Sequence, residues 1–350
     1  MTGNQTRLFH IVLLSLVIAG GACNESKYLG NGPPLYSANK VKINSSVKLS
    51  GRKERALRGE LNELLRPRLN GKLLGIRLKL WIYNIAGHPK KNKGLKHWLK
   101  YKVGEAPVLA SPKLIEKNRE VLQNHLENKG YFHDTVMVET PVKDKKLTAV
   151  FTAQVGPQYT IRNITYPADS DALGRRIDSL QRRSLLHKGD PFDLGVIKDE
   201  RDRIDTRLKN RGFYFFNPDY LVVDVDSSVG NNQVDLFMKI KEDIPDPARN
   251  VYRINDVVVY AEYDIKKDSS LKNIDTTPEG YKIVDTIHYL RPIVYSKTLV
   301  FKPGDIYKRD DHNLSLSRLV SLGVFKFVKA RFEPVDTSDE NNKLNAFYYL

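Results

Sequence analysis

Residues 189–240 decide the fold. They run Gly189-Asp190-Pro191-Phe192, then Val196-Ile197 … Ile204 … Leu208, then Asn210-Arg211-Gly212-Phe213-Tyr214. Tyr220-Leu221-Val222-Val223 follows, then Val229-Gly230-Asn231-Asn232, then Val234-x-Leu236-x-Met238-x-Ile240. The first stretch reads as a loop. The second places its apolar residues on one face at helical spacing. Gly212 suits the left-handed position after a helix end. Tyr220–Val223 reads as a strand, residues 229–232 as a polar turn, and the period-two run 234–240 as a half-buried strand.

The same order of signals occurs once before and once after. The earlier copy has Gly104-Glu105-Ala106-Pro107, a helix through Leu114-Ile115 … Val121-Leu122 … Leu126, and Gly130-Tyr131-Phe132. Thr135-Val136-Met137-Val138, a Lys/Asp turn at 143–146, and Leu147, Ala149, Phe151 and Ala153 complete it. The later copy has Gly304-Asp305-Ile306-Tyr307, a helix through Leu314 … Leu316 … Leu319-Val320, and Gly323-Val324-Phe325. It ends with Phe325-Lys326-Phe327-Val328, Asp339-Glu340-Asn341-Asn342, and Leu344, Ala346, Tyr348 and Leu350. Ser111-Pro112 and Asp310-Asp311 mark helix starts. An opening strand is expected at Tyr159-x-Ile161-x-x-Ile164 and Tyr252-x-Ile254-x-x-Val257, with Val41-x-Ile43 as its first copy. The expected fold is α+β: three tandem strand–helical region–helix–strand–strand units, each a small mixed sheet with helices on one face. Unit 1 is expected over 40–156 with a helical insertion at 66–102, unit 2 over 157–245 and unit 3 over 250–350.

This order resembles POTRA domains, the β-α-α-β-β modules of outer-membrane assembly factors, and more closely the lipoprotein members of the BamA/TamA family of Bacteroidetes-type bacteria. The residues that carry it are Cys23, Lys40-Val41-Lys42-Ile43, Leu73-Leu74-Gly75, Trp81-Ile82-Tyr83-Asn84, Asn128–Phe132, Tyr159–Ile164, Gly189–Phe192 and Asn210–Tyr214. The family continues into a membrane β-barrel. No series of alternating strands with aromatic girdles is legible here, so the chain is expected to be the periplasmic part without its barrel. The resemblance implies a non-catalytic module that binds extended segments by adding a strand to a sheet edge. The expected edges are Thr135, Val136, Met137 and Val138; Tyr220, Leu221, Val222 and Val223; and Phe325, Lys326, Phe327 and Val328. The implied partners are unfolded outer-membrane protein clients or assembly partners, and a β-barrel in the same or a separate chain. The alternative is a lipid-anchored envelope scaffold that recruits folded partners and handles no unfolded client.

The N-terminus points to export. Arg7, the apolar run Leu8–Ala19 and Gly20-Gly21-Ala22 read as a signal peptide over 1–22. The run is shorter than the ~20 residues a spanning helix needs. Gly20 to Cys23 resembles a bacterial lipobox, with Gly20 where Leu is usual, so Cys23 is the expected acylation site. Cys23 is the sole cysteine, so no intramolecular disulfide can form. Residues 23–39 read as a flexible tether. The expected location is the periplasmic face of the outer membrane.

Fifty-seven Lys+Arg against 41 Asp+Glu give a net charge of +16. Such a surplus attracts polyanions or an anionic membrane surface, and export makes nucleic acid the poorer partner. The basic residues concentrate at 66–102, which holds 11 Lys/Arg, no Asp/Glu and both tryptophans. Trp81, Trp98, Arg77, Lys79, Lys90 and Lys91 are the membrane-interface candidates. The competing expectation is a helical insertion that packs on unit 1 and leaves its lysines in water. No metal-binding His-Glu-x-x-His, nucleophile elbow or phosphate loop is present. His88 and His97 lack acidic neighbours in sequence, and Asp224 and Asp226 fit solvent-facing alternation better than a cation site. No catalytic residue, cofactor or metal is expected.

Overall fold

A computed structural model describes residues 29–30, 32–73, 75–89, 91–167, 171–261, 274–285, 290–335 and 342–350. The signal peptide, Cys23, Lys90 and most of the 339–342 turn lie outside these residues. The chain divides into two compact units, one ending at Tyr159 and the other Thr160–Leu350.

The first unit is one module. Its elements are β1 (Leu35–Ser45), α1 (Gly51–Leu64), α2 (Leu78–Ile85), α3 (Leu95–Trp98) running into a π-helical turn (Leu99–Val103), and α4 (Pro112–Asn128). The strands β2 (Thr135–Glu139), β3 (Val142–Lys143) and β4 (Lys146–Val155) follow. Central β4 pairs in parallel with β1 and antiparallel with β2 and β3. The alternating residues Leu147, Ala149, Phe151 and Ala153 all face the core and are nearly or fully buried. They meet Leu57 and Leu61 of α1 and Ile115, Leu122 and Leu126 of α4. Ser50 caps α1 through its side chain, and Pro112 opens α4, where its missing N–H costs nothing.

The second unit repeats the plan twice. One module is β5 (Thr160–Thr165), α5 (Ala172–Asp178), α6 (Leu194–Lys209), β6 (Leu221–Asp226) and β7 (Gln233–Ile240), in order β5-β7-β6. The other is β8 (Arg253–Tyr260), β9 (Ile274–Thr276), β10 (Tyr281–Val284), α7 (Pro292–Thr298), α8 (Arg309–Ser321), β11 (Lys329–Pro334) and β12 (Lys343–Tyr349), in order β11-β12-β8-β10-β9. The fold is thus α+β, with three mixed sheets in tandem β-α-α-β-β units.

Register aligns the three copies residue by residue. Tyr36, Ile161 and Ile254 stand opposite Leu147, Val234 and Leu344, and each first strand bulges by one residue immediately afterwards. Their N–H groups donate to Val108 O (2.8 Å), Asp190 O (2.9 Å) and Asp305 O (2.8 Å). The register corrects the expected first copy. Pro34-Leu35-Tyr36, not Val41-x-Ile43, matches Tyr159-x-Ile161, and the matching loop is Pro107–Ala110, not Gly104–Pro107. Unit 1 accordingly begins at Leu35 rather than residue 40. Leu35 and Tyr36 are fully buried, so residues 35–39 are strand, not tether. Gly104 serves a different contact: a Cβ there would lie 2.9 Å from the Tyr83 Cα and 2.8 Å from the Lys100 carbonyl oxygen.

Two further corrections concern the last module. Its sheet has five strands, because β10 pairs in parallel with β8 and β9 adds antiparallel to β10. These strands of four and three residues are too short to show a period in the sequence. Phe325–Val328 is not a strand. Phe325 packs on the core and Phe327 is exposed, while the edge strand β11 starts at Lys329.

Candidate strand-docking edges

In each module the strand that follows the main helix (β2, β6 or β11) is a sheet edge, and the ladder shows which of its backbone groups face out. In an antiparallel pair the groups point alternately inward and outward. In the first module the Val136 N–H donates not to β4 but to Gln123 Oε1 of α4 (2.9 Å), and Gln123 Nε2 donates to Asp134 O (2.7 Å). One side chain therefore seals the first half of the β2 edge. Alternation puts the Val138 groups outward in the other half. A groove of about 300 Å³ adjoins it, lined by Ala110, Pro112, Ile115, Val138, Thr140 and Leu147 among others.

In the second module Lys241 N donates to Tyr220 O (2.9 Å), so Leu221, Val223 and Val225 present their backbone outward. The Leu221 N–H is taken by the Pro218 carbonyl, and among the described residues no hydrogen bond reaches the outward groups of Val223 and Val225. Of the expected edge residues here, Tyr220 belongs to a 3₁₀ turn (Pro218–Tyr220). Arg201 holds that turn through the Pro218 carbonyl (3.0 and 2.8 Å). In the third module Val335 N donates to Lys343 O (3.0 Å), so Pro334 faces outward and removes a donor from the β11 edge. Proline at such a position blunts strand addition. Gln123 and Pro334 were not found from sequence. Gln123 sits seven residues before the helix-stop Gly130 and carries no signal until β2 is docked.

The glycine at the helix end also builds the joint between the modules of the second unit. Gly212 has φ +97°, and its carbonyl accepts from Tyr252 N (2.8 Å). A Cβ at Gly212 would lie 2.6 Å from Val251 and 2.9 Å from Ile306. The residues that follow divide their side chains. Phe213 and Phe216 enter the second module's core, while Tyr214 and Phe215 pack on the third module's core. Tyr214 meets Tyr307 (4.9 Å) and Phe215 meets Tyr252 (5.1 Å), both edge to face. Arg309 reaches Asp205 (2.9 Å) and Asn210 reaches Asp310 (2.7 Å) across the same joint. The first unit holds the same motif, with Tyr159 N on Gly130 O (2.9 Å) and the Tyr159 ring on Phe132 (5.0 Å). The sequence marked these glycines as helix stops only.

The buried charges have structural partners. Glu200, fully buried, receives Arg203 (2.7 and 2.8 Å), the Leu185 N–H (3.0 Å) and the Tyr166 hydroxyl (3.1 Å). Burial pushes the Glu200 carboxyl up, but Arg203 and these hydrogen bonds outweigh it and leave it below the usual range. Burial raises the Tyr166 phenol to about 12. Asp224 pairs with Lys239 (2.8 Å) and Asp226 accepts from Ser228 N (2.9 Å), so both belong to the strand surface and its turn. Among the described residues no group of three or more His, Cys, Asp or Glu is placed to hold a metal. Nor is any described helix long and apolar enough to cross a membrane.

The basic insertion is folded. Arg77, expected at a membrane interface, is instead buried, with its guanidinium donating to Ser37 O (2.6 Å). Lys79 and Lys91 are exposed, Trp81 is half-buried and Trp98 is 53% exposed.

No protein-family model matches the sequence, and no curated protein matches it. Among solved structures, the chain is similar to POTRA domains 3–5 of BamA from Haemophilus influenzae. Identity is 15% and the TM-score 0.43, covering 91% of this chain and 97% of that one. It is similar to POTRA domains 1–3 of the periplasmic domain of Omp85 from Anabaena, at 14% identity and TM-score 0.30 over 91% and 95%. The N-terminal domain of Omp85 from Thermosynechococcus elongatus aligns at 12% identity and TM-score 0.29 over 91% and 97%.

Proposed function

We propose that this chain is the periplasmic part of an outer-membrane protein assembly or translocation factor of the BamA/TamA type, tethered by lipid at Cys23. Its work is non-catalytic: it takes extended segments of unfolded outer-membrane proteins, or of assembly partners, as an added strand. The open outer edge of β6 carries this reading. A row of unpaired N–H and C=O groups binds an extended chain through its backbone, with little demand on side chains, which suits many clients. The open half of β2 and its groove form a second, shorter berth.

The test is a photo-crosslinking residue at Val225 in a strain making the full chain, with and without Val223→Pro. Proline there removes an outward donor and leaves the ladder to β7 intact. Crosslinks to unfolded barrel proteins that disappear with Val223→Pro are expected. Crosslinks that survive the proline, or that capture only folded envelope proteins, would overturn strand addition. A scaffold that recruits folded partners is the second reading. It is favoured by the partial closure of two edges, by Gln123 and by Pro334.

A further inference from the structure

The insertion at 66–103 is a small helical layer with one face given to the protein and one to solvent. Its inner face is pinned at several points. Arg77 bonds the Ser37 carbonyl near the start of β1, and Asn70 bridges Ala106 O (2.8 Å) and Val108 N (3.0 Å). Leu80 is buried. Lys100 is turned inward onto Gly87 O (2.5 Å) and lies over the Tyr83 ring (4.7 Å). The layer is therefore fixed, and what it exposes is fixed too.

The outer face pairs apolar and cationic groups. Leu95 is 71% exposed, Trp98 53% and Tyr101 56%, at a spacing of three residues along α3 and the π-helical turn. Ile85 at the end of α2 is 54% exposed. Lys91, Lys93, Lys96 and Lys102, in the same stretch of chain, are exposed too, and 66–102 contains no Asp or Glu. A water-facing helix does not need an exposed Leu-Trp-Tyr row. A protein partner would bring its own acidic groups to meet these lysines, whereas a bilayer supplies both an apolar boundary and a sheet of anionic headgroups. Tryptophan and tyrosine settle at that boundary, with lysine at the headgroups.

We propose that Leu95, Trp98 and Tyr101, together with Lys91, Lys93, Lys96 and Lys102, form a docking face for an anionic phospholipid surface. Its position agrees. Cys23 lies twelve residues before Leu35, a span of at most about 40 Å when extended, and the insertion is fastened to that same end of β1. The face would set the orientation of the first module against the membrane. It is independent of strand docking, which involves other residues.

The experiment uses the chain from Asn24 onward, which contains every described residue and carries no lipid. It is floated with phosphatidylcholine vesicles, with or without phosphatidylglycerol. Binding to the anionic vesicles only, weakened by salt, is expected. Leu95→Ser, Trp98→Ser and Tyr101→Ser together should lower partitioning about tenfold or more, and so should Lys→Gln at 91, 93, 96 and 102. In a Trp81→Phe background, Trp98 emission should shift to the blue on the anionic vesicles. Far-UV circular dichroism controls for folding, which these exposed substitutions should leave unchanged. Three results would overturn the proposal: no flotation of the folded chain, equal binding to neutral vesicles, or triple-Ser binding equal to the parent's. The last would mean polyanion attraction alone.

Discussion

The second and third modules share a ladder and differ in what closes it and what fills it. In both, the first strand runs parallel to the central one, bulges at the same place and receives a bond from its own loop. In the second module β5 remains a sheet edge. In the third, β8 lies between β12 and β10, with β9 beyond β10, and is interior. The interiors diverge as well. The second is organised around the Glu200–Arg203–Tyr166 network, while the third is filled by tyrosine and phenylalanine, with Tyr281, Tyr295, Phe301, Tyr307, Phe332 and Tyr348 in one cluster. Burial raises the Tyr281 phenol to about 12 and pushes those of Tyr307 and Tyr348 up as well, so these three stay neutral across the physiological range. One backbone plan thus accepts either a charged or an aromatic interior.

The contrast can be broken most severely at Glu200. Glu200→Ala leaves Arg203 and the Leu185 N–H without their acceptor in a buried site. A loss of about 3–5 kcal/mol is expected in urea unfolding. The acid limb should change too. Because the folded carboxyl sits below its unfolded value, its stabilisation is complete above the unfolded pKa, near 4.5, and is lost as pH falls through the folded one. Stability measured from pH 6 downward should therefore fall less steeply in Glu200→Ala than in the parent. An unchanged slope would show that the network adds no acid sensitivity.

The joint comes next. Gly212→Ala places a methyl against Val251 and Ile306 on a backbone at φ +97°, a cost of about 2–4 kcal/mol. Calorimetry should then split the transition of the Thr160–Leu350 unit in two, because Tyr214 and Phe215 lose their seat on the third core. A single lowered transition would mean the two modules are coupled through other contacts.

The smallest effect is at His312. Burial and the nearby Arg309 depress its pKa, and its ring lies 4.9 Å from Phe332. The neutral form is favoured when folded. Its contribution is full above the unfolded value near 6.5 and is lost as pH falls through the folded one. His312→Phe should flatten the stability profile between pH 7 and 5 and leave the pH 8 value nearly unchanged. A melt-temperature series across that window reads it directly.

Much of the ladder was legible beforehand. The runs from Leu147, Val234 and Leu344 alternate with period two, and the structure buries one face of each, because a central strand against helices leaves no other register. The glycine after each main helix was legible for a similar reason: a left-handed residue must end the helix. Val41-x-Ile43 misled because an alternating pattern repeats along an 11-residue strand, and only the bulge after Tyr36 distinguishes one pair from the next. Phe325–Val328 misled because its aromatic residues look like strand. Phe325, however, faces the module's own core within an irregular connection, and pairing begins only at Lys329.

The sequence by itself determined the number of repeats, the strand–helix–helix–strand–strand order they share, the helix stops and the concentration of positive charge at 66–102, since each follows from local periodicity or composition. Only the tertiary structure decided which edges are open. Sealing β2 needs Gln123 to arrive from another element, and blunting β11 needs Pro334 to fall on the outward phase of a ladder. It likewise decided that Arg77 and Lys100 turn inward while Trp98 turns out. Edge closure and side-chain facing depend on contacts between residues far apart in the chain, and a one-dimensional pattern carries no record of which groups those contacts bring together.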